Sequence, residues 1–152
     1  MTRAEGFDVY AEDLSVGDRY EFGHHRVAEA ELVDFASMWD PQPFHTDVEA
    51  AADHGFGGLI ASGLHTLAIY QRLLVRRIDG RWKVIAGRKI TEVVFVSPVR
   101  PGDVLSGSLA VTEVSLDDRG RGRITSDAEV VNDAGVVVLT VTAVMFLRRR
   151  GG

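Results

Sequence analysis

The spacing of apolar and polar positions changes character partway along the chain. From Ala28 onward, Leu32, Val33, Phe35, Ala36 and Trp39 recur at helical spacing and predict a helix of about three turns. That helix stops near Trp39, because Pro41 pushes the residue before it out of the α region. Pro43 then keeps the segment from Asp40 to His45 irregular. Asp47 is a good N-cap for a short Ala-rich helix over 48–53, which Gly55 closes. A glycine-rich stretch over 56–63 leads into a second long helix over 64–78. Its apolar residues, among them Leu64, Leu67, Ile69, Leu73, Leu74 and Val75, cover most of its circumference. A helix apolar nearly all round is normally a buried one, so the rest of the chain should wrap it.

The second half reads as strands. Segments 84–96, 104–114, 123–131 and 136–147 are rich in Val, Ile and Thr. Turn chemistry separates them: Pro101-Gly102-Asp103, the Asp/Gly/Arg run over 117–122, and Asn132 to Gly135. A turn over 14–18 leads into one more short strand over 19–22. Four strands in a row with short links predict an antiparallel meander. The economical architecture is α+β, one antiparallel sheet curled around the long helix. There is no repeat or low-complexity stretch, and a single domain over residues 1–152 is expected.

Composition narrows the function classes. A chain of 152 residues can bury a core without staples. It has no cysteine, which excludes a disulfide framework, a thiolate metal site and a cysteine nucleophile. A net charge of −5 argues against non-specific nucleic-acid binding. No apolar stretch approaches the ~18 residues of a membrane span. The N-terminal segment carries Glu5, Asp8, Glu12 and Asp13 before any apolar run and does not read as a signal peptide. A soluble, cytoplasmic protein is expected. Arg72, Arg76, Arg77, Arg81, Lys83, Arg88 and Lys89 form a local basic cluster. It reads equally as a site for a phosphorylated ligand or as a solvated helix end.

For chemistry, the segment from Asp40 to Asp47 is the unusual one. It holds an acid and a histidine on backbone stiffened by two prolines, between two helices. Spacing alone does not make Asp40 and His45 meet, since five extended residues span roughly 17 Å. Read only so, Asp40 is a helix-ending turn residue and His45 a packed or surface imidazole. His24-His25 and His45 could suggest metal ligation, but neighbours in a strand point to opposite faces, and no metal is expected.

The ordered set Asp40-Pro-Gln-Pro-Phe-His45-Thr-Asp47, Ala50-Ala51 and Gly57-Gly-Leu-Ile-Ala-Ser-Gly63 resembles the hydratase motif of the MaoC-like dehydratases. That family includes the (R)-specific enoyl-CoA hydratases. The run from Phe95 to Asp103 resembles its strand and turn after the central helix. The resemblance implies a hotdog fold. It also implies hydration of a trans-2-enoyl-CoA, or the reverse dehydration, with Asp40 and His45 as the acid/base pair on one water. The main-chain N–H of Gly63 would then polarise the thioester carbonyl. Ser62, Gln42, Trp39, Phe44 and His65 become expected substrate-side residues, with His65 also open to a structural reading. Coenzyme A enters as part of the acyl-CoA substrate and no separate cofactor is expected. The basic cluster gains a use against its phosphates. Gln42 departs from the commoner asparagine and Trp39 from a small residue. The resemblance further implies a homodimer joined sheet edge to sheet edge, with the Val-rich last strand suited to burial. The competing readings are a hotdog thioesterase and a non-catalytic acyl-CoA-binding subunit. The absence of a carboxylate within 64–78 speaks against the first, and the presence of both Asp40 and His45 against the second.

Overall fold

A computed structural model describes residues 6–151; the first five residues of the acidic N-terminal segment, and the last residue, lie outside it. After a 3-10 turn, Ala11–Asp13, come two short strands, β1 (Arg19–Glu21) and β2 (His25–Arg26). Helices α1 (Glu29–Trp39), α2 (Pro43–Thr46), α3 (Val48–Ala52) and α4 (Gly63–Ile78) follow. Four long strands close the chain: β3 (Val84–Phe95), β4 (Val104–Leu116), β5 (Arg121–Val131) and β6 (Val137–Arg148). Among the described residues no helix is long and apolar enough to cross a membrane.

The sheet is antiparallel in the order β1-β4-β5-β6-β3, with β2 pairing the other end of β4. The expected four-strand meander is therefore corrected to three strands, β4-β5-β6. β3 does not pair with β4; it lies beyond β6, and the segment after it crosses back over the helix layer. Consecutive strands and short links are compatible with both orders, and only packing against α4 selects between them. The crossing segment is tied down where it passes α4, since Ala61 N–H donates to Val99 O at 2.8 Å. This brings Phe95 to Val99 beside the start of α4.

Burial follows from the alternation. Along β5, Ile124, Ser126, Ala128 and Val130 face inward while Arg123, Asp127 and Glu129 face solvent. The core joins these to Leu105, Leu109 and Val111 of β4, Leu139, Val141 and Leu147 of β6, and Ile69, Leu73 and Leu74 of α4. Each fully buried leucine contributes about 1.5–3 kcal/mol.

α4 is buried on one side only. His65, Thr66, Ile69, Tyr70, Leu73 and Leu74 are covered, whereas Leu64 and Val75 stay about half exposed. The expected wrapping all round is thus incomplete, because the sheet takes one face and β3, the strand nearest the other, is an exposed edge. β6 is an interior strand, so its valines are explained within this chain. The open edge is β3, whose Val84, Ile85, Ile90, Val94 and Phe95 are exposed. β6 is interior and has no free edge, whereas β3 has one. One smaller correction concerns 40–45: Pro43 starts a one-turn helix instead of prolonging an irregular stretch, because proline at the first helical position lacks only an N–H that is unpaired anyway.

Candidate active site

The site forms where α1 ends and α4 begins. α1 stops at Trp39, and Asp40 leaves the helix with φ −154° and ψ 69°, as a residue before proline must. Gln42 N–H donates back to Asp40 O at 2.8 Å, and His45 N–H to Gln42 O at 2.9 Å. These two turns fold the extended span into a hairpin-like bend, and Asp40 Oδ2 and His45 Nε2 end 3.4 Å apart. The His45 ring is buried, and its Nδ1 lies 2.7 Å from the Ile60 carbonyl. A carbonyl only accepts, so Nδ1 carries hydrogen, and in the neutral ring Nε2 presents its lone pair toward Asp40.

Ser62, fully buried, joins the two halves. Its hydroxyl donates to Asp40 Oδ2 at 2.7 Å and accepts the Leu64 N–H at 3.2 Å as the N-cap of α4. Gln42 Nε2 donates to Asp40 Oδ1 at 3.2 Å, so the longer amide still reaches the carboxylate. The Ser62 hydroxyl is the main reason that Asp40 sits below the usual carboxylate range; partial burial opposes this, while Gln42 and His45 add to the lowering. Asp40 is therefore ionised well into acid. As a base it works only ionised, so activity governed by it falls as pH drops through its pKa, below the ordinary 3.8. Ser62→Ala removes the main cause, and the Asp40 carboxyl is expected to titrate at higher pH, read from its carboxyl carbon resonance. An unchanged titration in a folded Ser62→Ala protein contradicts this wiring.

Gly63 opens α4, where backbone N–H groups lack helical partners and the helix end carries about half a positive charge. Phe95 packs directly on it: a Cβ at position 63 would lie 2.7 Å from the Phe95 ring. Any side chain at position 63 must push that ring aside. Gly63→Ala is expected to cost about 1–3 kcal/mol through overpacking and to displace Phe95 or the first turn, read as a lower melting temperature with reduced activity. Asp40, Gln42, His45, Ser62, Gly63 and Phe95 all line one cavity of about 390 Å³, with Phe56, Leu64 and Pro98 supplying further apolar wall. Two acceptors and a helix-end donor thus share one largely apolar chamber.

Three expected residues lie elsewhere. Trp39 is 66 % exposed and does not line the cavity. Phe44 stands behind the site, edge-on to His45 at 4.4 Å and stacked on His54 at 4.3 Å, so it supports the imidazole. His65 points into a separate groove with His25 and Glu31. The basic cluster also divides. Arg72 faces that groove, Arg76, Arg77 and Arg81 surround a hollow at the end of α4, and Arg88 and Lys89 border an apolar cavity of about 550 Å³ between α4 and β3. None of them lines the Asp40/His45 cavity. Of the histidine pair, His24 is exposed and His25 pairs with Glu31. Sequence reasoning missed Phe56, Phe95 and the Ile60 carbonyl. Phe95 lay within the run compared with the family, but its contact with Gly63 needs the strand crossing, and a main-chain carbonyl carries no sequence signal.

The helix-on-sheet frame that carries this chamber is the hotdog fold. The chain belongs to the MaoC-like dehydratase family: residues 13–133 match the family's "MaoC like domain". The protein YdeM of Bacillus subtilis, itself uncharacterised, is 33% identical over 94 residues, 62% of this chain and 67% of that protein. The crystal structure of a MaoC-like dehydratase from Rhodospirillum rubrum superposes with a TM-score of 0.85 at 38% identity, covering 95% of this chain and 99% of that one. The R-hydratase PhaJ1 of Pseudomonas aeruginosa gives 0.68 at 26% identity, over 94% of this chain and 88% of that one.

Proposed function

We propose that this protein adds water across the 2,3-double bond of a trans-2-enoyl-CoA to give the (R)-3-hydroxyacyl-CoA, or catalyses the reverse dehydration. One observation carries the proposal: Asp40 Oδ2 and His45 Nε2, 3.4 Å apart and both able to accept, share a cavity with the first N–H of α4. A water donating one hydrogen to each acceptor is held with its oxygen lone pair free. Asp40 takes one proton as that oxygen bonds to C3, and the C2–C3 π pair moves toward the thioester, leaving an enolate whose oxygen sits at the Gly63 N–H. C2 then receives a proton from the Asp40/His45 pair, so the net change is H and OH added. An oxyanion donor of this kind is worth roughly 3–4 kcal/mol. The stereochemical part rests on likeness to R-hydratases; the substrate part rests on the family and the apolar cavity.

The absence of a carboxylate within α4 speaks against the thioesterase reading; Asp79 comes only after its end. Loss of enoyl absorbance from crotonyl-CoA and from longer or branched enoyl-CoAs, without thiol release, is the expected result. Thiol release alone makes the protein a thioesterase, and silence on every substrate favours a binding role.

Two copies joined along β3 complete the proposal. A long exposed apolar edge strand is the kind of surface that proteins otherwise avoid. Sedimentation should show a dimer at micromolar concentration, and a monomer there removes the β3 contact.

A further inference from the structure

On the far side of α4 from the Asp40/His45 cavity lies a second polar cluster that the reaction does not use. The Glu31 carboxylate, on the first turn of α1, sits 2.9 and 3.0 Å from His25 Nε2 of β2. The same carboxylate sits 3.3 Å from His65 Nε2 of α4. His65 is only 4 % exposed, its ring stacks on Phe35 of α1 at 4.7 Å, and its Nδ1 is buried with no partner. Burial holds this imidazole below the usual histidine range, against the pull of Glu31, so at neutral pH it is uncharged, and its Nε2 faces the Glu31 carboxylate. A buried, half-satisfied imidazole costs free energy that an apolar side chain of similar size would not. The contact it makes in return joins α4 to α1.

That contact has a particular place. His65 is the third residue of α4, within the same turn as Gly63, and Ser62 caps that turn. α1, which carries Glu31 and Phe35, ends at Asp40. The first turn of α4 is therefore fastened to α1 and its end at two points. Ser62 holds Asp40 at 2.7 Å on the cavity side, and His65 holds Glu31 at 3.3 Å on the opposite side. Held on opposite sides, the turn has its orientation fixed more tightly than the core packing of Thr66 and Ile69 fixes it alone. Any rotation shifts the Gly63 N–H relative to Asp40 and His45, and small misplacements of this kind cost rate steeply.

We propose that Glu31 and His65 are positioning residues: their contact, backed by Phe35 and His25, fixes the first turn of α4 so that the Gly63 N–H keeps its place opposite the Asp40/His45 pair. This rests on the proposed hydratase reading. Glu31→Gln leaves the buried ring in place and keeps the side-chain length; His65→Gln removes the ring. Each is expected to lower kcat about tenfold with KM within about twofold. The double variant should lose no more than the worse single one, because both break one contact. His25→Gln, which leaves the Glu31–His65 contact intact, should lose less. Losses that multiply in the double variant, or wild-type kcat in folded Glu31→Gln, overturn the proposal. A second readout is independent of turnover: the Gly63 amide resonance should move in Glu31→Gln, and an unmoved resonance also overturns it. If the wild-type protein hydrates no enoyl thioester, the reaction reading fails while the amide resonance still decides on the fastening.

Discussion

Asp40→Asn is expected to lower turnover of an enoyl-CoA by about 10²–10⁴-fold, the usual worth of a positioned acid/base group, with the fold retained. The substitution keeps the size and planarity of the side chain. Its amide oxygen can still accept from Ser62, whose hydroxyl lies 2.7 Å from the native carboxylate. What disappears is the capacity to take a proton from water. The amide nitrogen meets the Gln42 amide, a donor facing a donor, and this small penalty falls on a partly solvated pair instead of the core. Thermal melts should therefore nearly superpose while activity collapses. A variant that turns over at a tenth of the native rate or better shows that Asp40 is not the base.

His45 carries the second large effect, and two substitutions separate its roles. His45→Ala deletes both ring nitrogens and leaves the buried Ile60 carbonyl without its donor, a loss worth about 1–3 kcal/mol in stability beyond the loss of activity. His45→Asn places an amide N–H near the position of Nδ1–H, so the Ile60 contact can persist, but nothing replaces Nε2 facing Asp40. Both variants are expected to fall about 10²–10⁴-fold in kcat, with asparagine melting closer to the native protein than alanine. If asparagine restores activity along with stability, the histidine serves only to hold the loop.

These effects could be argued partly from the chain itself. The end of α1 was legible because Pro41 constrains Asp40, and the start of α4 because a glycine-rich stretch gives way to an apolar run at Leu64. The four long strands were legible from their β-branched content. Their order was not. β3 and β4 are neighbours in the chain with a short link, yet β3 pairs with β6, an outcome set by how the sheet closes over α4 and by no local signal. The same long-range step brings Phe95 onto Gly63, so the apolar wall of the site stayed hidden.

The pairing of Asp40 with His45 shows the limit most sharply. Five residues can separate them widely or bring them together, and backbone turns at Gln42 and His45 decide the matter. Only the order of motifs along the chain pointed to the second outcome. Trp39 was misplaced for the opposite reason: adjacency to Asp40 in sequence suggested adjacency to the cavity, but the last turn of α1 carries the indole outward. His65, two residues past Gly63, lies on the other side of its helix for the same geometric reason.

The central claim is that Asp40, His45 and the start of α4 act together on one water. Its most direct test follows enoyl absorbance of trans-2-enoyl-CoAs of increasing chain length with native protein and Asp40→Asn side by side. The account predicts loss of absorbance with native protein, formation of the (R)-3-hydroxyacyl-CoA, and a rate lower by at least about a hundredfold with the variant. Equal rates for the two proteins, or thiol release in place of hydration, would contradict it.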